Sequence, residues 1–294
     1  MALPKSLNPF DGVDKNQALN LGRAHRARFM QIIERLSSIN PDDTYKNHYI
    51  YSAPGLGKTY SIKKHLEESK TNYVQVSGNI SMWAFAIQLA VINYMNVNRE
   101  NIIVFVDDCD VVFSTEQSLN QMKILLDKDS RTFNYEKSLQ TQWGSLSDIQ
   151  KQAILEHQTE DKLGFSVDCS LMAFVFTSNF KLPNDDMVRI AREKNQGKSL
   201  LMAHRNAIRS RCKVADFDLE PPAHWGWIAD VVLHTECISE DKMSKDEKII
   251  MLNFLWDNWN ELNERSVRLI EKMVESKLQH PESYKLIWEI DHIK

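Results

Sequence analysis

Ser52-Ala53-Pro54-Gly55-Leu56-Gly57-Lys58-Thr59 decides the fold of this chain, because it reads as a cradle for phosphate. It follows the apolar run His48-Tyr49-Ile50-Tyr51 and precedes Tyr60-Ser61-Ile62-Lys63-Lys64-His65-Leu66, which has helical spacing. A strand, a glycine loop and a helix in that order are what a P-loop requires. Gly55 and Gly57 let the backbone turn its N–H groups inward around a polyphosphate. The helix start behind them adds partial positive charge toward the same anion. Pro54, Gly55, Leu56, Gly57, Lys58, Thr59 and Tyr60 are thus the candidate nucleotide contacts. Lys58 would reach the β- and γ-phosphates, and the Thr59 hydroxyl would ligate Mg²⁺. Ser52 stands where the pattern G-x-x-x-x-G-K-[ST] has its first glycine. The bland alternative is a Pro-Gly turn followed by a chance lysine.

The bulk numbers narrow the class. At 294 residues the chain forms one large domain or two smaller ones. It is 43% hydrophobic and 26% charged, with 9 Gly and 8 Pro, the composition of a soluble globular protein. The most apolar segment, Met82 to Val91, is interrupted by Gln88 and too short to cross a bilayer. Met1-Ala2-Leu3-Pro4-Lys5 lacks the apolar core of a signal peptide. Cys109, Cys169, Cys212 and Cys237 are far apart and the nine histidines have no ligand spacing. A reduced, cytoplasmic setting without structural zinc is the expectation. A net charge of −4 gives no global basic field for nucleic acid. The densest basic cluster, Arg23-Ala24-His25-Arg26-Ala27-Arg28, reads as a solvated helix face or, alternatively, a nucleic-acid contact.

Strand-length apolar runs alternate with helical segments, which predicts an α/β domain around a mainly parallel sheet. The expected strands are His48–Ser52, Tyr73–Ser77, Ile102–Val106, Met172–Ser178 and Lys213–Leu219. Helices are expected near Thr59–Ser69, Ser81–Tyr94 and Asp186–Ile208. After the break at Pro221-Pro222 everything reads helical: Trp225–His234, Asp246–Leu262, Ser266–Leu278 and Pro281–Ile290. The expected domains are an N-terminal helical or linker segment (1–40), an α/β nucleotide-binding domain (41–220) and a small all-helical lid (221–294). An insertion near 111–170 is far longer than the dozen or so residues that a parallel crossover needs.

Ile102-Ile103-Val104-Phe105-Val106-Asp107-Asp108-Cys109-Asp110 delivers acids at a strand's C-terminal end, the edge where ligands sit in open α/β sheets. Asp107 is the candidate for holding Mg²⁺, in part through water, because Mg²⁺ keeps much of its hydration. Asp108 would polarise the water that attacks the γ-phosphate, while Asp110 reads as a residue that helps to end the strand. Met172-Ala173-Phe174-Val175-Phe176-Thr177-Ser178-Asn179 ends in a polar triplet. Asn179 would hold the attacking water or touch the γ-phosphate; asparagine there is also an ordinary turn residue.

The Walker-type loop, the Asp-Asp strand, the strand-end Asn179 and Ile208-Arg209-Ser210-Arg211-Cys212 together resemble the core of an AAA+ ATPase. The P-loop NTPase sheet followed by a helical lid is the fold that this resemblance implies, with ATP and Mg²⁺ as its cofactors. Ser210-Arg211-Cys212 is similar to the step in which clamp-loader subunits place a finger arginine, so Arg211 inherits a role in the neighbouring subunit's ATP site. Arg209 and Arg205 compete for that role. Arg265-Ser266-Val267-Arg268-Leu269 resembles the family's second sensor, with Arg268 touching its own subunit's nucleotide or, alternatively, standing as a solvated helical arginine. The order of motifs also resembles a set of phage-encoded AAA+ ATPases with an Asp-Asp-x-Asp variant, over roughly Arg26 to Trp288. That likeness would place the protein in a host cytoplasm.

The resemblance implies a homo-oligomeric ATPase, ring or open helix, that remodels or loads a macromolecular partner, DNA or protein, in phage-type DNA transactions. Asp108 stands where most members have Glu, which motivates a slow ATP-gated switch as the alternative. A third reading, a superfamily-three helicase, is prompted by Phe176-Thr177-Ser178-Asn179-Phe180-Lys181-Leu182-Pro183. Met82 and Trp83 lie where translocating members carry an aromatic pore loop; the competing reading puts Trp83 in the core with Ile87 and Tyr94.

Overall fold

The computed structural model describes residues 8–39, 43, 46–78, 80–108, 110–135, 143–160, 164–194 and 199–293. Met1–Lys5 and Cys109 lie outside them, as do parts of the long insertion. The chain forms two compact units: one from the described residues within Met1–Ile33, Ser52–Tyr60 and Phe217–Lys294, the other from those within Glu34–Tyr51 and Ser61–Asp216.

The second unit is α/β. Its chain order begins with the end of α1 (Lys15–Leu36), then β1 (His48–Ser52), α2 (Lys58–Glu68), β2 (Tyr73–Ser77), α3 (Met82–Met95) and β3 (Ile102–Asp107). After a short 3₁₀ turn come α4 (Glu116–Leu125), β4 (Thr132–Tyr135), α5 (Asp148–Glu156), β5 (Phe165–Asp168) and β6 (Met172–Ser178). Then follow α6 (Asp185–Glu193), α7 (Ser199–Arg209) and β7 (Lys213–Phe217). The sheet order is β2-β3-β6-β1-β7, and the β2–β3, β3–β6 and β6–β1 ladders are parallel. β3 and β6 are buried at every position, so they read as unbroken apolar runs rather than alternating ones. The parallel α/β architecture expected from the sequence is therefore the observed one.

Several boundaries differ from expectation, among them the end of β7 and the helix before it. β7 stops at Phe217 because Pro221 opens the next helix, with proline at N1 and N2. The single helix expected over Asp186–Ile208 is two helices: α6 ends with Lys194 as its C-cap, and residues 195–198 lie outside the described set. Gly197 in that stretch has the poorest helix propensity after proline.

The insertion is built into the core. β4 and β5 pair antiparallel, and Phe133, Tyr135, Phe165 and Val167 join the cluster formed by Phe85, Ala86, Leu89 and Ala90 of α3. This explains why α3 is so largely apolar, with Gln88 its exposed polar side chain: α5, β4 and β5 pack on it as well as β2. Trp83 lies 5.0 Å from the Tyr135 ring and 6.1 Å from Phe165. It is a packing residue of this aromatic cluster, and Met82 packs there with it.

The first unit combines the glycine loop with α1 and four C-terminal helices, α8 (Pro221–His234), α9 (Lys245–Asp257), α10 (Val267–Gln279) and α11 (Tyr284–His292). Ala18, Phe29 and Ile33 give α1 a buried stripe at helical spacing. The α1–α8 crossing is backbone against backbone. A Cβ on Gly22 would lie 1.9 Å from Gly226 carbonyl carbon, and one on Gly226 would lie 1.8 Å from the Ala18 carbonyl oxygen. Beside this crossing Asp230, almost fully buried, accepts from Arg26 at 2.8 Å and Arg23 at 3.0 Å, with His234 at 3.1 Å. Burial alone would raise the Asp230 pKa, but hydrogen bonds from Arg26 and Arg23 and the charges of Arg26 and His234 outweigh it and hold the carboxyl below its ordinary value. Arg28 stacks over Phe217. The basic cluster of α1 is thus engaged within its own unit, where it neutralises a buried acid.

Candidate functional site

The phosphate loop leaves β1 at Ser52 and turns through two left-handed glycines, Gly55 (φ 76°) and Gly57 (φ 81°), into α2. A Cβ on Gly57 would meet nothing within 4 Å, so space is open beside it. A Cβ on Gly55 would lie 2.3 Å from Ser266 Cβ, so the loop rests directly on the corner that starts α10. Val267 N–H donates to the Gly55 carbonyl at 2.8 Å, and Trp227 Nε1 donates to the Leu56 carbonyl at 3.2 Å. Ser266 caps α10 by accepting from Leu269 N–H at 3.1 Å. Lys58 is buried, and its Nζ donates to the Ser52 and Ala53 carbonyls at 2.8 and 3.2 Å. The Leu56 side chain is also buried, whereas Pro54 and Tyr60 are exposed, Tyr60 by 69%. Arg268 is an exposed residue in the first turn of α10, two positions after its capping serine.

In the α/β unit, β3 and β6 end side by side. Asp107 and Thr177 are register partners, and the Thr177 hydroxyl donates to one Asp107 oxygen. Gln75, on the adjacent β2, donates to the other Asp107 oxygen at 3.4 Å. One residue on, Asp108 has a left-handed backbone (φ 51°), which asparagine and aspartate tolerate best among residues with a Cβ. Its N–H donates to the Thr177 carbonyl at 3.2 Å, and Asn179 Nδ2 donates to its carboxylate at 3.2 Å. The turn raises Asp108 and Asn179 into solvent while Asp107 stays buried. Asp110 accepts a hydrogen bond from the Ser178 hydroxyl, so it ties the ends of β3 and β6 together.

The three arginines before β7 differ in their partners. Arg205 is turned inward, with its Nε on the Phe113 carbonyl at 3.1 Å and its guanidinium 4.1 Å from the Phe180 ring. Arg209 donates to the Leu182 carbonyl at 3.3 Å. Arg211 pairs with Asp127 at 3.3 Å and donates to the Ala207 carbonyl at 2.9 Å. Its buried Nε makes no hydrogen bond among the described residues.

Residues 48–161 match the model of the ATPase family associated with various cellular activities (AAA). The AAA match covers the phosphate loop and both strand-end acids, and supports an ATPase of this class. It spans less than half of the chain and ends before Asn179, Arg211 and Arg268. No curated protein matches the chain. No helix of the described residues is long and apolar enough to cross a membrane.

Sequence reasoning missed Thr177, Gln75, Trp227 and Ser266. Thr177 was visible only as part of a polar triplet, because its value depends on facing Asp107 across the ladder. Trp227 had one usable signal: Gly226 inside a helix marks close packing at its neighbours.

Proposed function

We propose that this chain is an oligomeric AAA+ ATPase that uses ATP hydrolysis to remodel or load a macromolecular partner in DNA transactions of the phage type. The observation that carries the reading is the pairing of Asp108 with Asn179 above a buried Asp107, at the ends of the paired strands β3 and β6. The residues fit a magnesium nucleotide. Gly57 leaves open space on a left-handed loop, the N-terminus of α2 carries partial positive charge that favours an anion, and Thr59 and Asp107 carry the hard oxygen donors that Mg²⁺ prefers. Bound there, Mg²⁺ would neutralise phosphate charge. Lys58 and the loop N–H groups hold the phosphates, Asp108 orients and polarises the attacking water, and Asn179 fixes the Asp108 carboxylate. Arg268 contacts the nucleotide of its own subunit, and Arg211 reaches the neighbour's.

The test is the ATPase rate against protein concentration, with Lys58→Ala as the inactive control. The specific rate should rise with assembly. Mixing Lys58→Ala with Arg211→Ala subunits should restore part of the activity that each lacks alone. A specific rate that stays constant down to a demonstrated monomer would refute the shared site.

One observation favours a slow, switch-like version of this reading. Asp108 is one methylene shorter than glutamate and is already bonded to Asn179. Asp108→Glu should then raise turnover, and an unchanged or lower rate would count against slow switching.

A further inference from the structure

Two carbonyls of the loop are held by identifiable donors. Val267 N–H takes the Gly55 carbonyl and the Trp227 indole takes the Leu56 carbonyl. In a planar trans peptide the C=O and the following N–H point in opposite directions. Fixing the Gly55 carbonyl therefore aims the Leu56 N–H, and fixing the Leu56 carbonyl aims the Gly57 N–H, into the cradle. The Trp227 ring is itself immobilised: it is 2% exposed, 5.4 Å from Phe29 and 5.8 Å from Phe217. Gly226, the residue before it, is locked against the Ala18 carbonyl of α1.

We propose that Trp227 is a positioning residue for nucleotide binding, acting with the Ser266–Val267 corner as a clasp that presets the direction of the loop N–H groups. The proposal rests on the reading of Ser52–Thr59 as a nucleotide site. Without the clasp the loop samples conformations whose N–H groups do not converge, and apparent affinity falls with the competent fraction. Loss of one buried hydrogen bond corresponds to a weakening of roughly fivefold to thirtyfold.

The experiment is calorimetric titration of the full chain with Mg-ATP. Trp227→Phe keeps an aromatic ring in place and removes the donor along with part of the ring volume. It should raise Kd by that factor, with Phe254→Leu as the comparison. Phe254→Leu damages the Phe254–Trp288 pair of the same unit, 5.6 Å apart, and touches neither Trp227 nor the loop, so it should lower the melting temperature and leave Kd within twofold. Equal affinity for wild type and Trp227→Phe overturns the clasp while leaving the nucleotide site intact. A wild-type chain that binds neither ATP nor ADP overturns both. Should Trp227→Phe fail to fold, the indole Nε1–H resonance of Trp227 in wild type decides. ATP should slow its hydrogen exchange, and an unchanged rate overturns the proposal.

Discussion

Gly55 and Gly57 look equivalent in sequence, yet alanine should affect them very differently. Both have φ near +80°, at 76° and 81°, where a Cβ costs about 1–2 kcal/mol. At Gly57 that is the whole expected effect, since the new methyl would meet nothing within 4 Å. At Gly55 the methyl would lie 2.3 Å from Ser266 Cβ and 2.9 Å from its Oγ, and Ser266 must move. Moving it gives up the α10 cap, worth about 1 kcal/mol. The displacement also breaks the Val267–Gly55 hydrogen bond, worth about 1 kcal/mol more. Gly55→Ala should therefore cost about 3–4 kcal/mol and Gly57→Ala about 1–2. Urea denaturation without nucleotide, followed by the fluorescence of Trp225, Trp227, Trp256, Trp259 and Trp288 in the same unit, measures both. Equal destabilisation by the two variants would refute the account of the loop resting on α10.

Three further outcomes follow from other parts of the molecule. Burial, helped by the charges of Lys213 and Arg265, holds His48 and His224 at a pKa of about 4, below the ordinary 6.5. Their neutral forms contribute fully above pH 6.5 and that stability is lost as pH falls toward 4, by about 3 kcal/mol per histidine. His224→Phe should flatten part of this dependence in pH-resolved denaturation. The Glu247 carboxylate, held by Lys277 at 2.7 Å and by Ser244 at the start of α9, titrates at about 2 instead of 4.5. Its contribution is present above pH 4.5 and vanishes as pH drops through 2; Glu247→Gln should remove it, at a cost of at most about 1 kcal/mol at neutral pH. Asp127→Asn releases Arg211 from its ion pair. If Arg211 acts on a neighbouring subunit, the assembled protein should hydrolyse ATP faster in this variant, and a slower rate with intact assembly would show that the pair positions Arg211 productively.

Much of the fold was legible because the sheet strands are continuous apolar runs with polar ends. β1, β2 and β6 begin and end where the residue pattern changes, and β3 runs only one residue further, to Asp107. Asp107, Asp108 and Asn179 were legible for the same reason: an acid or amide at the end of a buried strand stands out. The β4–β5 hairpin was not legible. Its strands have four residues each and are separated by α5, so no local turn signal joins them. The network around Asp107 was hidden too, since Thr177 and Gln75 reach it through ladder register, which a one-dimensional pattern does not contain. The partners of Arg23 and Arg26 lie some two hundred residues away on α8, beyond any spacing rule.

The largely apolar surface of α3 has a consequence for how this protein can be shortened. A stretch that interrupts a nucleotide-binding sheet invites deletion as a dispensable ornament. Here, excising 111–170 would strip Phe133, Tyr135, Phe165, Val167 and Ile154 from Phe85, Leu89 and their neighbours, leaving a broad apolar face of the helix uncovered. Such a chain would bury that helix against another copy of itself and precipitate. A minimal version would first need polar residues written into α3, so the helix and the insertion are tied as one unit of inheritance.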